Sequence, residues 1–180
     1  MPFAGRSYFG LIAIEGVLIA TVFYAVARLT RARRRTAIAA FIGGLVAGAG
    51  NVATDAVAHS LGWWRYPEAT TPFGPLLYYL EAGIGCGALA LVALWLRRRY
   101  GVGASVVFLA YLAVYGPIRD AGTAHATGLI EFDYDPLPVV VVADALSGFV
   151  IPVLVAYGVL LAIDAEGGDA ANPTPQVREV

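Results

Sequence analysis

Residues 73–99 read FGPLLYYLEAGIGCGALALVALWLRRR, an apolar run interrupted by one acid, Glu81, and closed by Arg97, Arg98 and Arg99. A helix rising 1.5 Å per residue needs about 20 such residues to cross the ~30 Å hydrocarbon core of a bilayer. This run is long enough, and its arginines mark where it would leave the lipid. Four more stretches share the pattern, at 7–28, 36–61, 102–127 and 137–163, while the third span itself covers 73–95. Together they use nearly all of the 180 residues, of which 59% are hydrophobic and 14% charged. The expected fold is an all-α integral membrane bundle of five transmembrane helices, one domain over 1–163, followed by a disordered cytoplasmic tail at 164–180.

Arginine sets the expected orientation. All twelve basic residues are Arg, and nine of them fall at Arg28, Arg31, Arg33, Arg34 and Arg35, at Arg97, Arg98 and Arg99, and at Arg178. The positive-inside rule makes those places cytoplasmic, so the topology reads N-out and C-in. The compartment this implies is a bacterial or archaeal cytoplasmic membrane, with no nucleic-acid partner. The single cysteine, Cys86, lies within the third helix, so neither a disulfide framework nor a thiol-rich metal site is expected. The absence of lysine excludes Schiff-base chemistry on that side chain, and with it a retinal opsin.

Each expected span carries one acid at a similar distance from its outer end: Glu15, Asp55, Glu81, Asp120 and Asp144. A charge near mid-membrane costs on the order of 3 kcal/mol on insertion scales, so such residues normally face a bundle interior and mark a proton path or a reacting site. Asn51, Asp55 and His59 recur at helical spacing and form one polar stripe. Tyr111, Tyr115 and Arg119 form another, beside Asp120, with Pro117 disturbing the helix. Gly44 and Gly48, and Gly83, Gly85 and Gly87, thin two helices for close packing in lipid.

The second and fourth spans also align. Ala58-His59-Ser60-Leu61-Gly62 matches Ala124-His125-Ala126-Thr127-Gly128, each preceded by an acid, and Pro75 precedes Glu81-Ala82 at the spacing by which Pro138 precedes Asp144-Ala145. The pattern reads as a parallel repeat of two-helix units, about 36–97 and 102–163, related by an axis along the membrane normal. The first helix is then an addition.

Burial in apolar surroundings favours the neutral carboxyl, whereas a neighbouring arginine favours the ionised one. Environments that differ in this way turn two acids into a proton donor and a base. Asp55, Glu81, Asp120 and Asp144 form the candidate catalytic set, with Glu15, Asn51, His59, Arg119 and His125 in support. Trp63, Trp64, Tyr66, Tyr78, Tyr79, Tyr111 and Tyr115 offer ring faces that stabilise a passing cation. This chemistry suits proton-initiated reaction of an apolar alkene or epoxide and needs neither metal nor cofactor. Three alternatives stand beside it. The acids could form a static hydrogen-bonded network, Trp63 and Trp64 could belong to a headgroup belt, and His59 with His125 could ligate a haem or metal.

The segment Asp55 … Gly62-Trp63-Trp64-Arg65-Tyr66 … Pro75-Leu76-Leu77-Tyr78-Tyr79-Leu80-Glu81 resembles the small integral-membrane carotenoid cyclases of the heterodimeric lycopene cyclase type. Those carry an acid, a Gly-x-Trp-x-aromatic loop and Pro-x-Glu-Glu at the next helix, in duplicated bundles; here Glu81 alone stands for the Glu pair. In plan the chain is also similar to the fungal transmembrane meroterpenoid cyclases. These resemblances imply an intramembrane acid/base cyclase or isomerase of an isoprenoid or related lipid. A proton-coupled transporter or channel for a small solute, and a non-catalytic or lipid-binding membrane subunit, are the other expectations, with a homodimer possible in any of the three.

Overall fold

Each apolar run becomes a helix, the form in which a chain in low-polarity surroundings bonds its own backbone. A computed structural model describes residues 6–67, 76–128, 130–133 and 137–169. In chain order the elements are α1 (Arg6–Leu29), α2 (Arg34–Ser60), β1 (Trp64–Arg65), α3 (Leu76–Tyr100), α4 (Val102–Thr127), β2 (Glu131–Phe132), α5 (Leu137–Asp144), a π-helical turn (Ala145–Val150) and α6 (Ile151–Asp169). Residues 73–75, expected to open the third span, lie outside the described residues. Among the described residues the architecture is all-helical apart from one short ribbon, and four helical stretches are long and apolar enough to cross a membrane: α2, α3, α4 and the stack Leu137–Asp164.

The stack Leu137–Asp164 is not a regular helix. Pro152 has no N–H to give to the carbonyl four residues back, at Gly148, and its ring crowds that carbonyl, so the chain widens into the π turn just ahead of it. Pro117, expected to disturb the fourth span, lies inside α4, which continues through it. α6 runs on through Asp169, into the segment expected to be a disordered tail, and residues 170–180 lie outside the described residues. Asp164 is fastened at this end. Thr36 Oγ1 donates to Asp164 Oδ1 at 3.0 Å, Arg98 Nη2 reaches Asp164 Oδ2 at 2.9 Å, and Arg35 Nη2 donates to the Ile163 carbonyl at 2.8 Å.

Glycine brings α2 and α3 into backbone contact. A Cβ on Gly44 would strike the Gly83 carbonyl oxygen, and one on Gly83 would lie 2.6 Å from the Gly44 carbonyl oxygen. Gly48 meets Tyr79 and Gly83, and Gly87 meets Ala40, so the two stripes of small residues interlock along the crossing. On its other side α2 meets α6, where Gly43 abuts the Ala156 carbonyl. The core is accordingly built of Ala39, Ala40, Ala47, Ala90, Leu91, Leu94, Val153, Ala156 and Leu160.

The Ala-His-x-x-Gly motif has a local explanation. Gly62 takes a left-handed φ of 72° while the Trp63 N–H bonds back to the Ala58 carbonyl at 2.9 Å and the Gly62 N–H to that of His59 at 3.0 Å. Gly128 takes φ 67° and bonds to Ala124 at 2.8 Å. Both motifs end their helices with a glycine cap. Beyond the caps, β1 and β2 pair antiparallel, Trp64 with Phe132 and Arg65 with Glu131. This ribbon closes one end of the bundle; the arginine clusters occupy the other.

Candidate functional site

α1 leans on α3 and does not pack closely against α4, so one face of α3 is left uncovered between them. Tyr78, Glu81, Ala82, Gly85, Leu89 and Val92 occupy that face and line a cavity of about 520 Å³, within the range of small-molecule sites. All five acids line it, each from a different element: Glu15 from α1, Asp55 from α2, Glu81 from α3, Asp120 from α4 and Asp144 from α5. They gather toward the ribbon end. The remaining depth is lined by Ile19, Val22, Val26, Leu89, Val92 and Leu112, and none of the arginines at the far end reaches it.

The acids differ in what holds them. Asp55 accepts from three side chains: Trp64 Nε1 at 3.1 Å on Oδ1, and the Tyr66 and Tyr79 hydroxyls at 2.7 and 2.8 Å on Oδ2. Asp120 is paired with Arg119, whose Nε donates to Oδ1 at 2.7 Å and whose Nη2 meets the same oxygen. The Arg119 guanidinium also lies 5.1 Å from the centre of the Phe149 ring. That ring occupies the space a side chain at Gly116 would take. Glu81 and Asp144 are held differently. Glu81 is 2% exposed, and neither of its oxygens has a hydrogen-bond partner among the described residues. Its Oε1 lies against Gly16 of α1, 2.6 Å from where a Cβ would stand. Asp144 is buried beside Gly148, and no hydrogen bond ties its carboxylate among the described residues.

The π turn shapes the wall opposite α3. Within this turn three successive residues, Ser147, Gly148 and Phe149, all line the cavity. Of the expected aromatic residues, Trp64, Tyr66, Tyr78 and Tyr115 line it. Tyr79 stands behind, reaching Asp55 through its hydroxyl. Trp63 packs beside Trp64 with ring centres 6.3 Å apart, outside the lining, and Tyr111 is exposed, stacked at 5.3 Å on Tyr115. Asn51 and Arg119 line the cavity as well.

His59 and His125 do not. Both are exposed and stand outside the lining, because in each capped helix end the alanine before the histidine turns inward or half-inward and the histidine projects about 100° further round. Asp55 takes its bonds from Trp64, Tyr66 and Tyr79 and not from His59. Among the described residues no three His, Cys, Asp or Glu side chains converge as a metal site. Sequence reasoning missed Phe132, Ile130, Phe149 and Cys86 as lining residues. Only Phe149 had a signal, the Gly116-Pro117 pair that leaves room for a ring on a neighbouring helix.

No protein-family model, curated protein or solved structure matches this chain. What it does is therefore read from a mostly apolar slot with five acids at one end.

Proposed function

We propose that the protein is an intramembrane acid/base cyclase or isomerase of an isoprenoid or related lipid, in which Glu81 and Asp144 move protons while Asp55 and Asp120 stay fixed. The observation that carries this is the contrast among the acids: two are engaged by donors, while among the described residues Glu81 is buried with neither oxygen bonded and Asp144 is buried with no hydrogen bond to its carboxylate. A buried ion without a partner costs far more than the neutral acid, so a carboxyl kept free of partners suits a group that gives up and regains a proton. One of the pair protonates an alkene or epoxide of the bound lipid. The resulting carbocation is attacked by a neighbouring double bond or rearranges, and the carboxylate left by the first step takes a proton from the adjacent carbon, directly or by way of the other acid. Substrate and product have the same atoms, and both acids are neutral again at the end of each turnover. Trp64, Tyr66, Tyr78, Tyr115 and Phe149 supply ring faces to the cation.

The wider reading has five spans, with α1 as the fifth, oriented N-out and C-in, and a parallel repeat of α2–α3 with α4–α5–α6. Two observations support it. The arginine clusters share one end of the bundle. In the ribbon, residues aligned by the two glycine-cap motifs pair about a local two-fold, Arg65 with its counterpart Glu131 and Trp64 with Phe132, the counterpart of Tyr66. The apolar inner half of the cavity favours lipid conversion over solute transport, which needs a polar path across.

The test incubates membranes carrying wild type, Glu81→Gln or Asp144→Asn with epoxidised and plain prenyl lipids, followed by chromatography for isomeric products of unchanged mass. Wild type converts one of them and each variant does not. Unchanged lipids throughout would refute the proposal.

A further inference from the structure

Of the glycines on α3, Gly83 and Gly87 are explained by the α2 backbone against them. Gly85 is not. It lines the cavity, yet no atom lies within 4 Å of where its Cβ would stand. Its smallness therefore serves empty space. It sits one helical turn, about 6 Å, further from the ribbon than Glu81, at the point where the lining changes from polar to apolar.

The slot is long and narrow. Its lining on α3 runs from Tyr78 to Val92, about 21 Å at 1.5 Å per residue. At the ~30 Å³ a water occupies, 520 Å³ holds roughly 17 atoms of that size. That is the scale of one chain laid lengthwise. Leu18 and Val22 on α1 and Tyr115 on α4 line the slot and are also 60%, 45% and 44% exposed. The gap between these helices is thus an apolar side opening.

We propose that the cavity takes a single linear lipid through the gap between α1 and α4, its reacting end among the acids and its tail along α3 past Gly85, which sets the tail length accepted. This rests on the reading of the cavity as a lipid-converting site, and adds the substrate class and the residue that selects it. A large side chain at Gly85 would block the slot just beyond the acids, leaving room for a short chain only.

The experiment uses the full chain in nanodiscs and two saturated primary alcohols carrying a photoreactive diazirine at the tail end, one of about eight carbons and one of about sixteen, the latter close to the roughly 17-atom capacity. Crosslinked residues are located by mass spectrometry. In wild type the long probe labels Leu89, Val92 or Val26, and the short probe labels residues near Tyr78 to Gly85. In Gly85→Phe the long-probe labels are lost and the short-probe labels remain, which also shows that the variant has folded. If the short probe is lost too, Leu89→Phe puts the same plug one turn deeper. Long-probe labelling at Val92 and Val26 that survives whichever plug is folded would overturn the proposal. So would wild-type labelling confined to outward positions such as Val107 and Ile118. Turnover is not the readout, so a protein that binds the chain without converting it would sink the acid/base mechanism and leave this assignment standing.

Discussion

Replacing Asp55 by Ala removes one acceptor from three donors at once, on three separate segments. Hydrogen bonds to a charged group contribute about 1.5–3 kcal/mol each, and a buried donor left unsatisfied costs about 1–3 kcal/mol. Trp64 and Tyr79 are buried and would lose this acceptor in a dry place, whereas Tyr66 is half-buried and loses less. Because the three bonds share one carboxylate they do not add, and a loss of roughly 3–6 kcal/mol is expected. Asp55→Asn is milder. Its amide oxygen can keep both tyrosines, but its NH2 group faces the Trp64 N–H, so roughly 1–3 kcal/mol is lost. The ribbon lies at one end of the bundle, packed there through the small cluster around Trp64 and Val140, so the loss should appear first as local opening. Hydrogen exchange of 63–67 and 131–133 in nanodiscs, with thermal unfolding, measures both. Unchanged ribbon protection in Asp55→Ala, or a greater loss in Asn than in Ala, would refute the view of Asp55 as an anchor.

Gly44→Ala drives a methyl into the Gly83 carbonyl and should destabilise by about 1–3 kcal/mol in thermal unfolding, while Gly85→Ala, with open space before it, should be neutral or stabilising by up to about 1 kcal/mol. Arg65 pairs with Glu131 in solvent, their side chains 70% and 49% exposed, so Arg65→Ala should change the melting free energy by no more than about 1 kcal/mol and less at high salt. The Tyr66 hydroxyl, in the loop beyond α2, is held well above its usual 10.0, first by burial and then by its neighbours Tyr78 and Asp55. Its neutral form is the one the fold favours, so its contribution to stability is whole below pH 10 and is lost as pH rises past that value; removal of this loss in Tyr66→Phe under alkaline unfolding checks the sign.

The helices were legible because lipid leaves a chain few alternatives, and long apolar runs closed by arginine can form little else. The α4 bounds, 102–127, coincide with the sequence reading. The π turn was not legible, since Pro152 signals a distortion and not which form it takes. The small residues of α2 and α3 could be read as packing surfaces, but nothing in their spacing separates Gly85, which faces a void, from Gly83 and Gly87, which face a backbone. The histidines misled for a related reason: a motif recurring at two helix ends reports the cap those ends share.

By itself the sequence determined that the chain is helical and apolar enough for lipid, and that each long run carries one acid that must find an interior. Helical spacing within a segment settles these points. Which acid would be engaged and which left bare was decided only by tertiary structure. Asp55 meets donors from the ribbon and α3, and Glu81 meets a glycine on another helix, whereas the pairing of Asp120 with its chain neighbour Arg119 was already open to sequence reading. The partners of Asp55 and the surroundings of Glu81 come from other segments of the chain, and no local pattern encodes them.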